Sequence, residues 1–136
     1  EVSRRLNGEG MSVCFVHIGY ADVPAIAEEI YAEIKAVNEA SGKVIAVSAL
    51  DESTRAQHFL GLADVVFGMG RSVFEGLAAG RPTFVVGKVG FAGAIDAASV
   101  DALAASNFSG RQMTKELTRE ESLAEMHRSV KEVLSN

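Results

Sequence analysis

Short, Val-rich runs alternate with longer stretches of helical spacing from one end of the chain to the other. That alternation commits a sequence to an α/β fold, because strands joined by crossover helices pair in parallel. The spacing predicts strands over 12–18, 43–49, 63–67 and 82–86. The first, through Val13, Cys14, Phe15 and Val16, reads as buried on both faces, and its cysteine as a small buried hydrophobe. Asp22 then caps a helix with Pro24 at its second position, where a missing N–H costs nothing. Ile26, Ile30, Ile34 and Val37 make its apolar stripe, and Gly42 stops it. Shorter helices are expected over 54–61, 72–79 and 96–106, with a glycine-rich connection over 87–93. A last helix starts at Thr118, whose spacing to Glu121 makes a capping box, and buries Leu123, Met126, Val130, Val133 and Leu134. The expected fold is a Rossmann-like open parallel sheet of about four or five strands flanked by helices.

At 136 residues the chain is the size of a single domain. Such a chain buries roughly two thirds of its unfolded surface, enough for its own core. The net charge of −5, with no basic cluster, argues against nucleic-acid binding, which needs a basic stripe to displace phosphate counterions. There is no signal peptide and no apolar run of membrane-spanning length, so a cytoplasmic location is expected. The chain begins with Glu1 and not Met, which suggests an excised or processed domain.

The chemistry concentrates between Ala63 and Pro82, where a strand, a glycine turn, a helix, a glycine stop and a second strand follow one another. Gly68 and Gly70 let the backbone turn sharply and let a ligand approach unobstructed. The next helix points its unpaired N–H groups and positive dipole end at the same space, which suits a phosphate or diphosphate. Arg71 and Ser72 stand at that opening and offer charge-assisted and hydroxyl hydrogen bonds. Glu75, one turn in, suits sugar hydroxyls such as a ribose diol better than phosphate. Each residue also has a plainer reading. Ser72-x-x-Glu75 is a capping box by spacing, the glycines suit any tight turn, and Arg71 suits a solvated surface. A dinucleotide fingerprint fits poorly, since Val73 stands where its third glycine belongs.

At these residues the chain resembles the C-terminal, donor-binding domain of GT-B glycosyltransferases that use nucleoside diphosphate sugars. The resemblance runs through Ala63-Asp64-Val65-Val66, Gly68-Met69-Gly70-Arg71-Ser72, Phe74-Glu75-Gly76, Ala79-Gly80-Arg81-Pro82 and Val85-Val86. It is good over 49–93 and looser outside, although Asn107-Phe108-Ser109-Gly110 also looks like the tail of some uncharacterised bacterial members. It implies a nucleoside diphosphate sugar as substrate and no separate cofactor or metal. It places the diphosphate at Gly68, Gly70, Arg71 and Ser72 and the ribose at Glu75. Two departures stand out. Many retaining members carry a second glutamate near the donor sugar, where this chain has Phe67. The family's first strand, with a basic residue that reaches the diphosphate, corresponds to nothing after Glu1, and residues 1–6 read as the tail of its helix. The acceptor-binding N-terminal domain is likewise missing, and a homodimer is one way to replace the lost strand pairing.

His17, Gly19 and Leu50, at the ends of the first two strands, are further candidate donor contacts, and His17 also reads as a partly buried packing residue. His58 and His127 fall on helices, and nothing has the spacing of a metal cluster or a nucleophile triad. Three other readings stay open: a sugar-nucleotide-binding subunit with a separate partner, a non-catalytic binding domain that kept the fold, and a fragment of a sugar-nucleotide epimerase.

Overall fold

The structure is a computed structural model that describes residues 1–19, 23–40, 44–49, 56–87, 90–111 and 117–135. The chain divides into two units, Glu1–Ala56 and Gln57–Asn136.

In the first unit, helix α1 (Val2–Gly8) leads into strand β1 (Val13–Ile18), helix α2 (Pro24–Ala40) and strand β2 (Val44–Ala49). Leu6 is buried, and the Met11 amide closes back on its carbonyl at 3.2 Å, so α1 stops where Gly10 takes a left-handed φ of 92°. The expectation of a helix, not a strand, at the start of the chain holds here. Pro24 is the first residue of α2, one place earlier than expected, and Asp22 and Gly42 lie outside the described residues. β1 and β2 run parallel, with Phe15 opposite Ala46. The expectation that β1 is buried on both faces is corrected: Phe15 and Val16 point to opposite faces and are 44% and 50% exposed, and Cys14 is exposed too. Among the described residues β1 pairs with β2 alone.

The second unit runs through α3 (Gln57–Leu60), β3 (Val66–Gly68), α4 (Arg71–Ala78), β4 (Thr83–Gly87), β5 (Gly90–Ala94), α5 (Val100–Ala104) and α6 (Arg119–Leu134). Its sheet has the order β3-β4-β5. β3 and β4 are parallel, as a strand–helix–strand crossover requires. α4 lies so close to this pair that a methyl group on Gly76 would stand 2.6 Å from Thr83 Oγ1 and 3.2 Å from Val66 Cβ. The helix ends in a Schellman motif: Gly80 is left-handed at 68°, its N–H reaches Leu77 O at 2.9 Å, and Arg81 N–H reaches Gly76 O at 3.1 Å.

β5 corrects the expected parallel sheet. The segment read as a glycine-rich connection is a strand antiparallel to β4, with Gly87 opposite Gly90 and a register shift between Val85 and Val86. Gly90 and Gly93 have φ of 118° and 99°, so glycine here serves a sharp return and a bulged strand. Phe91 accounts for the return energetically. It is buried against Phe84, at 5.8 Å between ring centres, and Phe84 stacks on Phe67 at 5.2 Å. Burying one such side chain contributes roughly 1.5–3 kcal/mol. Among the described residues, Val66, Val73, Val85, Phe108 and Val130 are the other buried apolar side chains of this unit, and Thr83 is buried with them.

α6 begins as its sequence predicts: Thr118 Oγ1 accepts from Glu121 N–H at 3.2 Å, and Glu121 accepts from Thr118 N–H at 2.8 Å. α5 is shorter than expected because residues 96–99 form a turn instead. Asp96 accepts from the amides of Ala98 and Ser99 at 2.9 and 2.8 Å. Among the described residues, no helix is long and apolar enough to cross a membrane.

Candidate functional site

The turn between β3 and α4 is held by its own small residues. Gly70 is the helix N-cap, with φ 55° and ψ −121°, a conformation that favours glycine, so the helix starts at Arg71. Ser72 is therefore its second residue, too far in to be the N-cap. Its hydroxyl reaches back, donating to Met69 O at 2.9 Å and accepting from Met69 N–H at 3.1 Å. The hydroxyl occupies the room a side chain on Gly68 would need; a Cβ there would lie 2.9 Å from Ser72 Cβ. The capping-box reading of Ser72 and Glu75 is thus corrected, since α4 has no side-chain cap.

Glu75 is committed elsewhere. Its carboxylate accepts from Arg71 Nε at 2.7 Å, one helical turn away. Arg71 is 88% exposed and Glu75 23% exposed. Such a pair contributes about 0.3–0.5 kcal/mol, so it holds neither side chain firmly.

The loop after α5 forms the second side of this region. Asn107 and Phe108 are both left-handed, with φ of 53° and 51°, and Gly110 follows at 67°. Two successive non-glycine residues in that region are uncommon and cost on the order of 1–2 kcal/mol each. Packing offsets the cost. The Phe108 ring is buried with Val73 and Val85 and meets Phe74 edge-on at 5.0 Å, while its carbonyl accepts from Gly70 N–H at 3.1 Å. Farther along, a side chain on Gly87 would sit 3.0 Å from Gly110 Cα. The loop therefore adjoins Gly70, just past the end of β3, and Gly87, the end of β4. In open α/β sheets ligands bind beyond these carboxyl ends.

The donors at the start of α4 can now be apportioned. Met69 N–H goes to Ser72, Gly70 N–H to Phe108 O, and Val73 N–H to Gly70 O at 3.2 Å. The amides of Arg71 and Ser72 have no acceptor among the described residues, and the dipole of α4 adds partial positive charge there.

Gly68, Gly70, Arg71, Ser72 and Glu75 thus come together in one turn and the first helical turn after it. His17 and Gly19, at the end of β1, form a separate pair in the first unit; a Cβ on Gly19 would stand 3.4 Å from His17 Nε2. Leu50 lies outside the described residues. Sequence reasoning did not connect the 107–110 loop with this turn. Its available signal was a second small-residue run, Ser109-Gly110, after an apolar helix. Among the described residues no three His, Cys, Asp or Glu side chains cluster as metal ligands would. The chain matches no family model, no curated protein and no solved structure.

Proposed function

We propose that the chain is the donor-binding domain of a glycosyltransferase and holds a nucleoside diphosphate sugar at the β3–α4 turn. One observation carries the reading: two open amides, from Arg71 and Ser72, stand at a helix N-terminus beyond the ends of a parallel strand pair, with a guanidinium and a carboxylate on the same helical turn. The diphosphate would accept from those amides and from Arg71, and the ribose hydroxyls would donate to Glu75. Breaking the Arg71–Glu75 pair to admit the ligand costs little. In this reading the two parallel pairs, β1–β2 and β3–β4, belong to a Rossmann-like half of a GT-B fold. The acceptor comes from a separate domain, the chain alone does not complete a transfer, no cofactor is needed and the location is cytoplasmic.

A non-catalytic binding domain is the second reading. It is favoured by Ser72, whose hydroxyl proton is already donated to Met69 O, and by Phe67, whose ring is stacked on Phe84. Titration calorimetry with uridine, guanosine, adenosine and thymidine diphosphates tests the first reading, which requires heat of binding from at least one.

A further inference from the structure

We propose that Asn7 is a self-modifying site, at which the Gly8 amide nitrogen attacks the Asn7 side chain and the acidic product unfastens α1 from the start of β1. This inference is independent of the nucleotide reading and lies wholly within the turn that closes α1.

Asn7 alone among the asparagines precedes a glycine; Asn38 precedes Glu39 and Asn107 precedes Phe108. The backbone nitrogen of a following residue can close on an asparagine Cγ, and a glycine puts no Cβ in its way. In that reaction the Gly8 nitrogen bonds to Asn7 Cγ and gives up its proton, and the carboxamide nitrogen leaves as ammonia. Water then opens the cyclic imide at either carbonyl and leaves aspartate or isoaspartate. Water is the sole co-reactant. Asn38 is further restrained, because its carboxamide accepts from Ala46 N–H at 2.7 Å and donates to Ala46 O at 2.9 Å.

The fold of the turn governs both the rate and the consequence. While Asn7 is helical, its ψ keeps the Gly8 nitrogen away from Cγ, so ring closure requires the last turn of α1 to open. That turn is held by Gly10 N–H on Asn7 O at 2.9 Å, Met11 N–H on Leu6 O at 3.2 Å, and Asn7 Nδ2 on Met11 O at 3.0 Å. Against these, Gly8 weakens the helix from within. A Cβ at Gly8 would meet nothing within 4 Å, so among the described residues no neighbour crowds the rearrangement. Once formed, a carboxylate at position 7 cannot donate to Met11 O. Its charge also lies in the last turn of α1, at the negative end of the helix dipole. Isoaspartate adds a main-chain carbon as well. Either product loosens the corner between α1 and β1.

Incubation of the whole chain at mildly alkaline pH, followed by peptide mapping with mass spectrometry, reads the reaction. Partial conversion of Asn7 to aspartate and isoaspartate is expected, with Asn38 and Asn107 intact. Gly8→Ala should slow it several-fold, and urea should speed it by opening the turn. Hydrogen exchange supplies the second reading: Asn7→Asp should accelerate exchange at the Gly10 and Met11 amides while Leu103 and Val130 keep their rates. Asn7 that persists in the folded chain while it reacts in urea would overturn the proposal. So would conversion of Asn38 or Asn107 that keeps pace with Asn7, or unchanged Gly10 and Met11 exchange in Asn7→Asp.

Discussion

Arg71 and Glu75 are paired at 2.7 Å across one turn of α4, so the two charged groups assigned to phosphate and ribose neutralise each other in the ligand-free chain. In the proposed reading a bound diphosphate would separate this pair, and mutating each partner reads the two proposed roles apart.

Arg71→Ala should weaken nucleoside diphosphate binding by roughly 10- to 100-fold, the value of one charge-assisted hydrogen bond, and leave nucleoside binding nearly unchanged. Glu75→Ala should weaken both. Neither change should lower stability by more than about 0.5 kcal/mol, because the pair is solvent-screened. Calorimetry for binding and urea unfolding for stability provide the two readings. Equal loss of nucleoside and diphosphate affinity in Arg71→Ala would return the arginine to an ordinary surface role.

Gly76→Ala should destabilise the second unit by about 1–3 kcal/mol, since the added methyl meets Thr83 Oγ1 and the Val66 side chain between α4 and the sheet. Urea unfolding measures it. An unchanged midpoint would mean that α4 stands farther from the sheet than described.

Phe108→Ala should cost about 3–5 kcal/mol by emptying the space beside Val73 and Val85. It should also release the Gly70 amide, because the buried ring is what holds the carbonyl against it. Hydrogen exchange at Gly70 should accelerate in this variant beyond the average of its unit. Exchange that rises only in step with the rest of the unit would show the ring and the turn to be uncoupled.

The Asp96 carboxyl is held below the usual carboxylate range by the Ser99 side chain, then by the amides of Ser99 and Ala98. A depressed folded pKa means that the 96–99 turn gains stability above the unfolded pKa and loses it as pH falls through the folded one. The amide resonances of Ala98 and Ser99 should therefore shift together on acidification, below the range of an ordinary aspartate, and Asp96→Asn should abolish that step. A midpoint at the ordinary aspartate value would contradict the two amide bonds.

Much of this fold was legible because it follows local rules. The switch from strand to helical period around Gly68–Gly70, the stop at Gly80 and the Thr118–Glu121 box all depend on residues within a turn of one another. What escaped depends on partners far away in sequence. Glycines at 87, 90 and 93 look like loop, and only the burial of Phe91 against Phe84 makes 90–94 a strand; two apolar runs around a short Gly-flanked connection were the signal for that hairpin. Ser72 looks like a cap until the positive φ of Gly70 moves the helix start to Arg71. The apolar side chains of β1 look buried in the sequence because hydrophobicity does not record how much of a strand is covered, and Phe15 and Val16 are exposed.

In the proposed reading the open amides of Arg71 and Ser72 receive a diphosphate. Isotope-edited NMR titration of the whole chain with nucleoside diphosphates tests it most directly, because it reads those two amides individually. Saturable shifts of the Arg71 and Ser72 amides are expected, with affinity nearer millimolar than micromolar, and a smaller response to the matching nucleoside. If those two resonances stay fixed while nucleotides perturb other parts of the chain, or perturb none, the β3–α4 turn is not a donor site.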